Sequence, residues 1–322
     1  MNGFSVIAAA ERLGERDRLR RILRFAGPAA YAVVLAVVIY REGIPLSRER
    51  LLMWILLGLL AFSLTNIRGW IRGVVLEWLP FAFVLWAYDL LRGHADTLLF
   101  SAHVRPQLRA EEILFGGTVP TVWLQEHLWD LSHVHWYDYA VWAVYLTHFF
   151  AVWVTAAILW RVARSRFRRY AVTTVLLSLA AFATYWAYPA QPPWLAGEGV
   201  LMPHVDRVVP IVWDQLGVSS AQSIYENGDF VNTVAAMPSL HAAFPLMLLL
   251  FFWSAGRWVR LGLGLYTLAM AFTLVYGGEH FVADILAGWA MALGVHALVE
   301  VAVRRAPSLF ALGPAAARSA EG

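Results

Sequence analysis

YGGEHFVADILAGWAMALGVHALVEVAVRR, Tyr276 to Arg305, sets the class of the molecule. From His280 to Val303 it is apolar almost throughout. A hydrocarbon core about 30 Å thick takes roughly 20 such residues to cross as a helix. The segment closes on Arg304 and Arg305, the kind of basic pair that marks a cytoplasmic end. Two polar residues interrupt it near its start, His280 and Asp284, and each costs free energy to hold in apolar surroundings.

The rest of the chain has the same character. Its 322 residues are 60% hydrophobic and 15% charged, with sixteen tryptophans and a mean hydropathy of +0.59. That profile belongs to an integral membrane protein, all-α and polytopic, whose bundle is expected to have about eight spans. The candidate spans are 22–40, 51–67, 73–91, 136–160, 170–188, 238–255, 261–277 and 280–303. With a cytoplasmic N-terminus, eighteen of the 25 arginines fall on the inner side and seven on the outer, as the positive-inside rule requires. Both termini are then cytoplasmic in a multi-pass protein of the cell membrane.

Composition also excludes chemistry. The chain has no cysteine, so disulfides, a thiolate nucleophile and cysteine-ligated metals are ruled out. Every basic residue is arginine, which removes Schiff-base and P-loop mechanisms. No nucleic-acid partner is expected, and the sequence leaves the oligomeric state open.

Four regions follow. Residues 1–24 read as a basic interfacial arm on the inner leaflet, with no cleavable leader evident, because the first apolar run follows the charged stretch Glu11 to Arg24. Residues 25–91 hold N-terminal transmembrane helices, 92–306 form a second membrane domain that contains both long connections, and 307–322 read as a disordered tail. Two long connections, 92–135 and 189–237, land outside. The first carries LFGGTVPTVWLQEHLW, where a Gly-Gly turn precedes a short interfacial helix starting near Pro120. The second opens with YPAQPPWLAGEG, irregular from its prolines and glycines.

At helical spacing His280 and Asp284 share a face, so the carboxylate can hold one imidazole nitrogen and leave the other as a base or nucleophile. A second polar element, AAMPSLHAAFP (Ala235 to Pro245), is expected at the same depth. Pro238 suits a first helical turn, the amides of Ser239 and Leu240 are placed to meet an anion, and His241 follows one turn into the span. A proton relay in a transporter would use the same His–Asp pair. Two histidines and a carboxylate can also bind zinc, although no HExxH motif occurs. HVHWYD (His133 to Asp138) reads as an interfacial belt, and His148 and His296 as helix–helix hydrogen-bonding residues.

These two segments together resemble the type-2 phosphatidic acid phosphatase superfamily of membrane lipid phosphatases and phosphotransferases. MPSLHAAFP is similar to its Pro-Ser-Gly-His motif and GEHFVADILAG to its histidine-then-aspartate motif. The resemblance implies that His280 attacks phosphorus, Asp284 orients it, and His241 protonates the departing alcohol, with no metal and no cofactor. The phosphatase Ser-Arg ahead of the last motif is replaced by Thr273 and Leu274. The first motif aligns only as Leu98 through Arg105-Pro106, without its lysine. Those departures, with YPAQPPW and LFGGTVPTVWLQ, are more similar to the branch containing inositol phosphorylceramide synthase, over about Glu111 to Gly288.

The resulting expectation is a lipid phosphotransferase or phosphatase working through a phosphohistidine at the extracytoplasmic interface. Its partners are a membrane phospholipid donor and an alcohol or sphingolipid acceptor. Ser239, Gln191 and Trp194, with Arg105, Arg109 and Arg207, are the candidate substrate contacts. The 189–237 loop carries Glu198, Asp206, Asp214, Glu226 and Asp229 against Arg207 alone, a poor attractor for anions from solution. Lateral entry from the bilayer is expected.

Overall fold

A computed structural model describes residues 3–43, 48–93, 102–199, 201–216 and 233–310. Leu98, Glu226 and Asp229, and most of the expected disordered tail, lie outside the described residues. Helices account for all the regular structure described. Among the described residues the only other ordered pairing is two isolated parallel bridges, His103 with Ala190 and Ala190 with Ala235.

The chain divides into two compact units, one within Met1–Ala82 and the other Phe83–Ala311. The first opens with α1 (Gly3–Glu42), a single 40-residue helix. The expected arm and first span are therefore continuous, and α1 runs through Pro28 without ending. α2 (Arg48–Ala61) lies against it: the Tyr31 hydroxyl donates to the Trp54 carbonyl at 2.9 Å. A Cβ on Gly27 would come within 2.6 Å of the Ala61 carbonyl oxygen, an approach open only to glycine. The chain then turns at Asn66, whose side chain accepts from the Gly69 amide at 3.0 Å and starts α3 (Ile67–Gly73). A π-type turn (Val74–Trp78) leads on to α4 (Leu79–Gly93).

The second unit carries the chemistry. α5 (Arg105–Leu114) and α6 (Pro120–Leu128) are short, the latter beginning at the expected proline. α7 (Trp136–Val162) and α8 (Arg164–Ala187) are long antiparallel neighbours. α9 (Pro193–Ala196) and α10 (Val208–Gln215) lie in the second long connection. α11 (Leu240–Phe251), α12 (Arg257–Tyr276) and α13 (Val282–Arg305) complete the bundle, and α14 (Pro307–Phe310) is one turn at its end.

Six helical stretches among the described residues, not eight, have the length and apolarity to cross a membrane: 17–42, 67–88, 136–162, 164–187, 257–276 and 282–305. The expected spans at 51–67 and 238–255 fall short. α2 has 14 residues and α11 has 12, about 21 and 18 Å at 1.5 Å per residue. α11 ends early because Phe252 leads into a tight turn closed by Gly256 at φ +114°. It is apolar on all sides because it is surrounded by α7, α8, α12 and α13, with Ala242, Ala243, Met247 and Leu248 buried. The long helices instead show large apolar side chains on their outer faces, including Ile158, Leu179, Leu268, Leu286 and Leu298, as lipid contact demands.

Lipid is as apolar as leucine, so packing and close approach, not water exclusion, hold such helices together. Small residues supply that approach at the centre: Ala242, Ala243, Gly288 and Ala292 are all buried. Above them Tyr145, Val209, Met270, Leu274 and Ile285 form the floor on which the polar residues stand.

Candidate active site

The site grows from the turn between α12 and α13. α12 stops at Tyr276, and the Leu274 carbonyl accepts from the amides of both Glu279 and His280, at 3.0 and 3.1 Å. Gly278 makes this reversal at φ +74°, where a Cβ would also lie 2.7 Å from the Asp206 carbonyl oxygen. α13 then begins at Val282 with Phe281 as its N-cap. His280 therefore precedes the helix and does not ride on it. Its pairing with Asp284 comes from helix capping, which corrects the expectation of two residues on one helical face. Asp284 sits at the third helical position, where its Oδ2 accepts from the Phe281 amide at 3.0 Å. The same oxygen lies 3.6 Å from His280 Nδ1. That is longer than a hydrogen bond, as contacts in substrate-free sites often are. Nδ1 facing the carboxylate leaves Nε2 pointing elsewhere.

The second motif is bonded directly to the first. The Ser239 amide donates to the Asp284 carbonyl at 3.0 Å, so it does not face an anion as expected. The Ser239 hydroxyl oxygen caps α11 by accepting from the Ala242 amide at 3.2 Å, and its own proton remains to be donated. Leu240 and His241 occupy the first turn of α11. The rings of His241 and His280 stand 5.5 Å apart between centroids. Sequence reasoning missed the neighbour behind His241. His148 on α7 stacks on its ring at 3.8 Å, and Tyr145, one turn earlier, stacks at 5.0 Å. Their spacing on α7 was visible, but nothing local indicated which helix they would face.

The two long connections are bonded to this centre. Gln125 of α6 donates to the carbonyls of Asp206 and Tyr276, both at 2.8 Å, and accepts from the Asp206 amide at 2.9 Å. It thereby ties the second long connection to the turn that precedes His280. Arg207 makes a bidentate ion pair with Glu279, at 2.8 and 3.0 Å, and stacks on Trp194 at 5.2 Å. The Trp194 amide donates to the Gly278 carbonyl at 3.0 Å. Gln191 is half-buried, and its amide donates to the His103 carbonyl at 3.0 Å in the small bridge region. Of the candidate substrate contacts, Ser239, Trp194 and Arg207 thus gather around His280. Arg105 and Arg109 do not: both are exposed on α5, and Arg109 pairs with Glu112 at 3.2 Å.

Glu111, from the inner face of α5, reaches the same place. It is fully buried, and its Oε1 accepts from the Val282 amide at the start of α13. Burial pushes its carboxyl up to about 7; the Val282 and Ala283 amides oppose the rise and Asp284 adds to it. His135 and Asp138 are structural. Asp138 caps α7 by accepting from the His135 amide at 2.7 Å and receives the Tyr276 hydroxyl at 2.5 Å. Among the described residues no three His, Asp or Glu side chains gather as metal ligands.

A half-buried imidazole, His241, and a buried one, His280, stand close together, the second beside a carboxylate, an arrangement able to supply a nucleophile and an acid–base partner. Phosphoinositol dihydroceramide synthase of Bacteroides thetaiotaomicron is 29% identical over 235 residues, covering 69% of this chain and 75% of its own. No solved structure matches the chain. Residues 112–298, more than half of the molecule and all of the histidine centre, match the family model for the PAP2 superfamily, and the chain belongs to that superfamily.

Proposed function

We propose that this protein is a membrane lipid phosphotransferase that moves a phosphorylated polyol head group from a phospholipid to a lipid alcohol through His280. Membership of the PAP2 superfamily supports lipid phosphoryl chemistry. The name of the Bacteroides relative points to a phosphoinositol donor and a sphingolipid acceptor. The observation that carries the mechanism is the 5.5 Å spacing of the His241 and His280 rings, with Asp284 beside Nδ1 of His280.

In the first step Nε2 of His280 attacks phosphorus. The bond from phosphorus to the diacylglycerol oxygen breaks, its electron pair leaves with the oxygen, and that oxygen takes a proton from His241. Asp284 stabilises the charge left on the His280 ring. In the second step the acceptor hydroxyl gives its proton to His241 as its oxygen bonds to phosphorus. The N–P bond breaks and His280 is restored. Water in place of the alcohol gives hydrolysis by the same route. The Ser239 hydroxyl and the first-turn amides of α11 are aimed at the phosphoryl oxygens, since such transfers depend on positioning and charge stabilisation. Arg207 is neutralised by Glu279, so its role is to orient Trp194 and the turn rather than to supply net charge. Gln191 and Trp194 border the head-group side.

Full-length protein in vesicles containing head-group-labelled phosphatidylinositol and ceramide tests this reading. Labelled sphingolipid is expected to form, and without acceptor the wild-type chain should carry acid-labile label. His280→Ala should insert and fold but lose both. Wild-type turnover in that variant would overturn the mechanism. The extracytoplasmic placement is checked in the same preparation, because the chain has no cysteine of its own. Arg109→Cys should react with a membrane-impermeant maleimide from the outer side only.

A further inference from the structure

α5 is exposed through Arg105, Arg109 and Glu112, yet it turns Gln107 and Glu111 inward, 2% and 0% exposed. Four residues apart on a helix, the two share a face. Glu111 is anchored at one oxygen by the Val282 amide, two residues from His280, and Asp284 is near enough to act on its charge. Among the described residues its other oxygen, Oε2, has no hydrogen-bond partner, and neither do Oε1 and Nε2 of Gln107. A buried polar group left unsatisfied loses its hydration without compensation and destabilises the fold. The fold does not demand polarity on this side of α5, because Leu108 is buried beside them. Three unsatisfied polar atoms on one buried helix face, where Glu111 already reaches the start of α13, are the signature of a ligand subsite.

Resting on the transferase reading above, we propose that Gln107 and Glu111 form the head-group subsite, holding adjacent hydroxyls of a polyol phosphate while its phosphorus faces His280. The chemistry matches atom for atom. A carboxamide offers both a donor and an acceptor, a carboxyl oxygen accepts or donates with its protonation state, and each polyol hydroxyl does both. The negative charge that Glu111 carries when ionised also selects among phosphates. It opposes a dianionic phosphomonoester more than the monoanionic diester of a neutral polyol. The subsite is as secluded as His280 and Asp284, which are 6% and 0% exposed.

The test compares phosphatidylinositol with phosphatidic acid as donors for full-length wild type and Gln107→Leu in nanodiscs. Leucine is near glutamine in size and suits the burial; Gln107→Met serves if the first variant does not fold. The ratio of kcat/KM for phosphatidylinositol over phosphatidic acid should fall about tenfold, the loss of one net hydrogen bond. An equal fall for both donors, or no fall, overturns the subsite. Equilibrium binding of inositol 1-phosphate and of ethyl phosphate, which has no hydroxyls on its alkyl group, to the same proteins answers independently of turnover. Wild type should prefer inositol 1-phosphate and the variant should lose that preference; identical binding by both proteins overturns the proposal. If wild type turns over neither donor yet keeps the binding preference, the reaction assigned above falls and the subsite stands.

Discussion

Gly288 and Ser239 meet where only a hydrogen can fit: a Cβ on Gly288 would lie 2.3 Å from the Ser239 carbonyl oxygen. This contact lies one turn beyond the hydrogen bond from the Ser239 amide to the Asp284 carbonyl. Together they set how closely the tops of α11 and α13 approach, and hence the gap between His241 and His280. Gly288→Ala must push the two helices apart. A misplacement of about 1 Å at a reacting centre costs roughly a hundredfold in rate, so kcat in the transfer assay should fall by about that factor. Gly294, further along α13, has open space around its Cβ position. Gly294→Ala should leave kcat alone and raise the thermal midpoint slightly, since alanine is the better helix former by about 1 kcal/mol.

The ion pair of Arg207 with Glu279 is mostly buried, with side-chain exposures of 16% and 7%. Removing one partner leaves the other charge uncompensated, which for buried pairs costs about 3–5 kcal/mol. Arg207→Gln and Glu279→Gln should each lower the unfolding midpoint. The double variant should lower it by less than the sum, a coupling that the four-protein cycle measures. Arg207→Lys should not restore stability fully, because an ammonium cannot reproduce the two-bond geometry.

Glu111 makes stability depend on pH in a stated direction. Its carboxyl is raised from an ordinary value of 4.5 to about 7 by burial. Between those pH values the folded chain holds a proton that the unfolded chain has lost. Stability contributed by this group therefore falls as pH rises through the window from about 4.5 to 7, and its penalty is complete above it. Thermal midpoints of wild type in nanodiscs should drop across that range by more than those of Glu111→Gln, which has no proton to lose. Parallel curves for the two proteins would contradict the assignment.

His148 stacks on His241 at 3.8 Å with an interplanar angle of 27°. It is placed to hold the ring plane of His241 rather than to touch the reacting atoms. His148→Phe keeps a stacking ring and should retain most of kcat. His148→Ala removes it and should lose about tenfold or more, through misorientation of the acid–base group. Equal losses in both variants, with a shifted pH profile, would instead mark His148 as part of the proton path.

Much of this was legible before any coordinates. Apolar length, the absence of lysine and cysteine, and the short helix at Pro120 follow from residue type and spacing, because a bilayer imposes its thickness on whatever crosses it. Membership of the superfamily was legible for a related reason: the His241 and His280–Asp284 motifs are contiguous in sequence. The span count was not. Apolar residues at 240–251 are required equally by lipid and by the middle of a bundle, and hydropathy does not distinguish them. The local geometry of His280 and Asp284 also escaped, since a spacing of four residues fits a helical face and a capped helix start alike.

Sequence by itself determined the solvent this chain lives in and the residue types able to do its chemistry, because both are set by composition and local order. Tertiary structure alone decided which polar groups meet. It turned Arg105 and Arg109 outward and Gln107 and Glu111 inward on one ten-residue helix, neutralised Arg207 with Glu279, and placed His148 behind His241. Those outcomes depend on close packing between helices far apart in the chain. Packing at that distance is governed by shapes such as the missing side chain of Gly288, which no local pattern encodes.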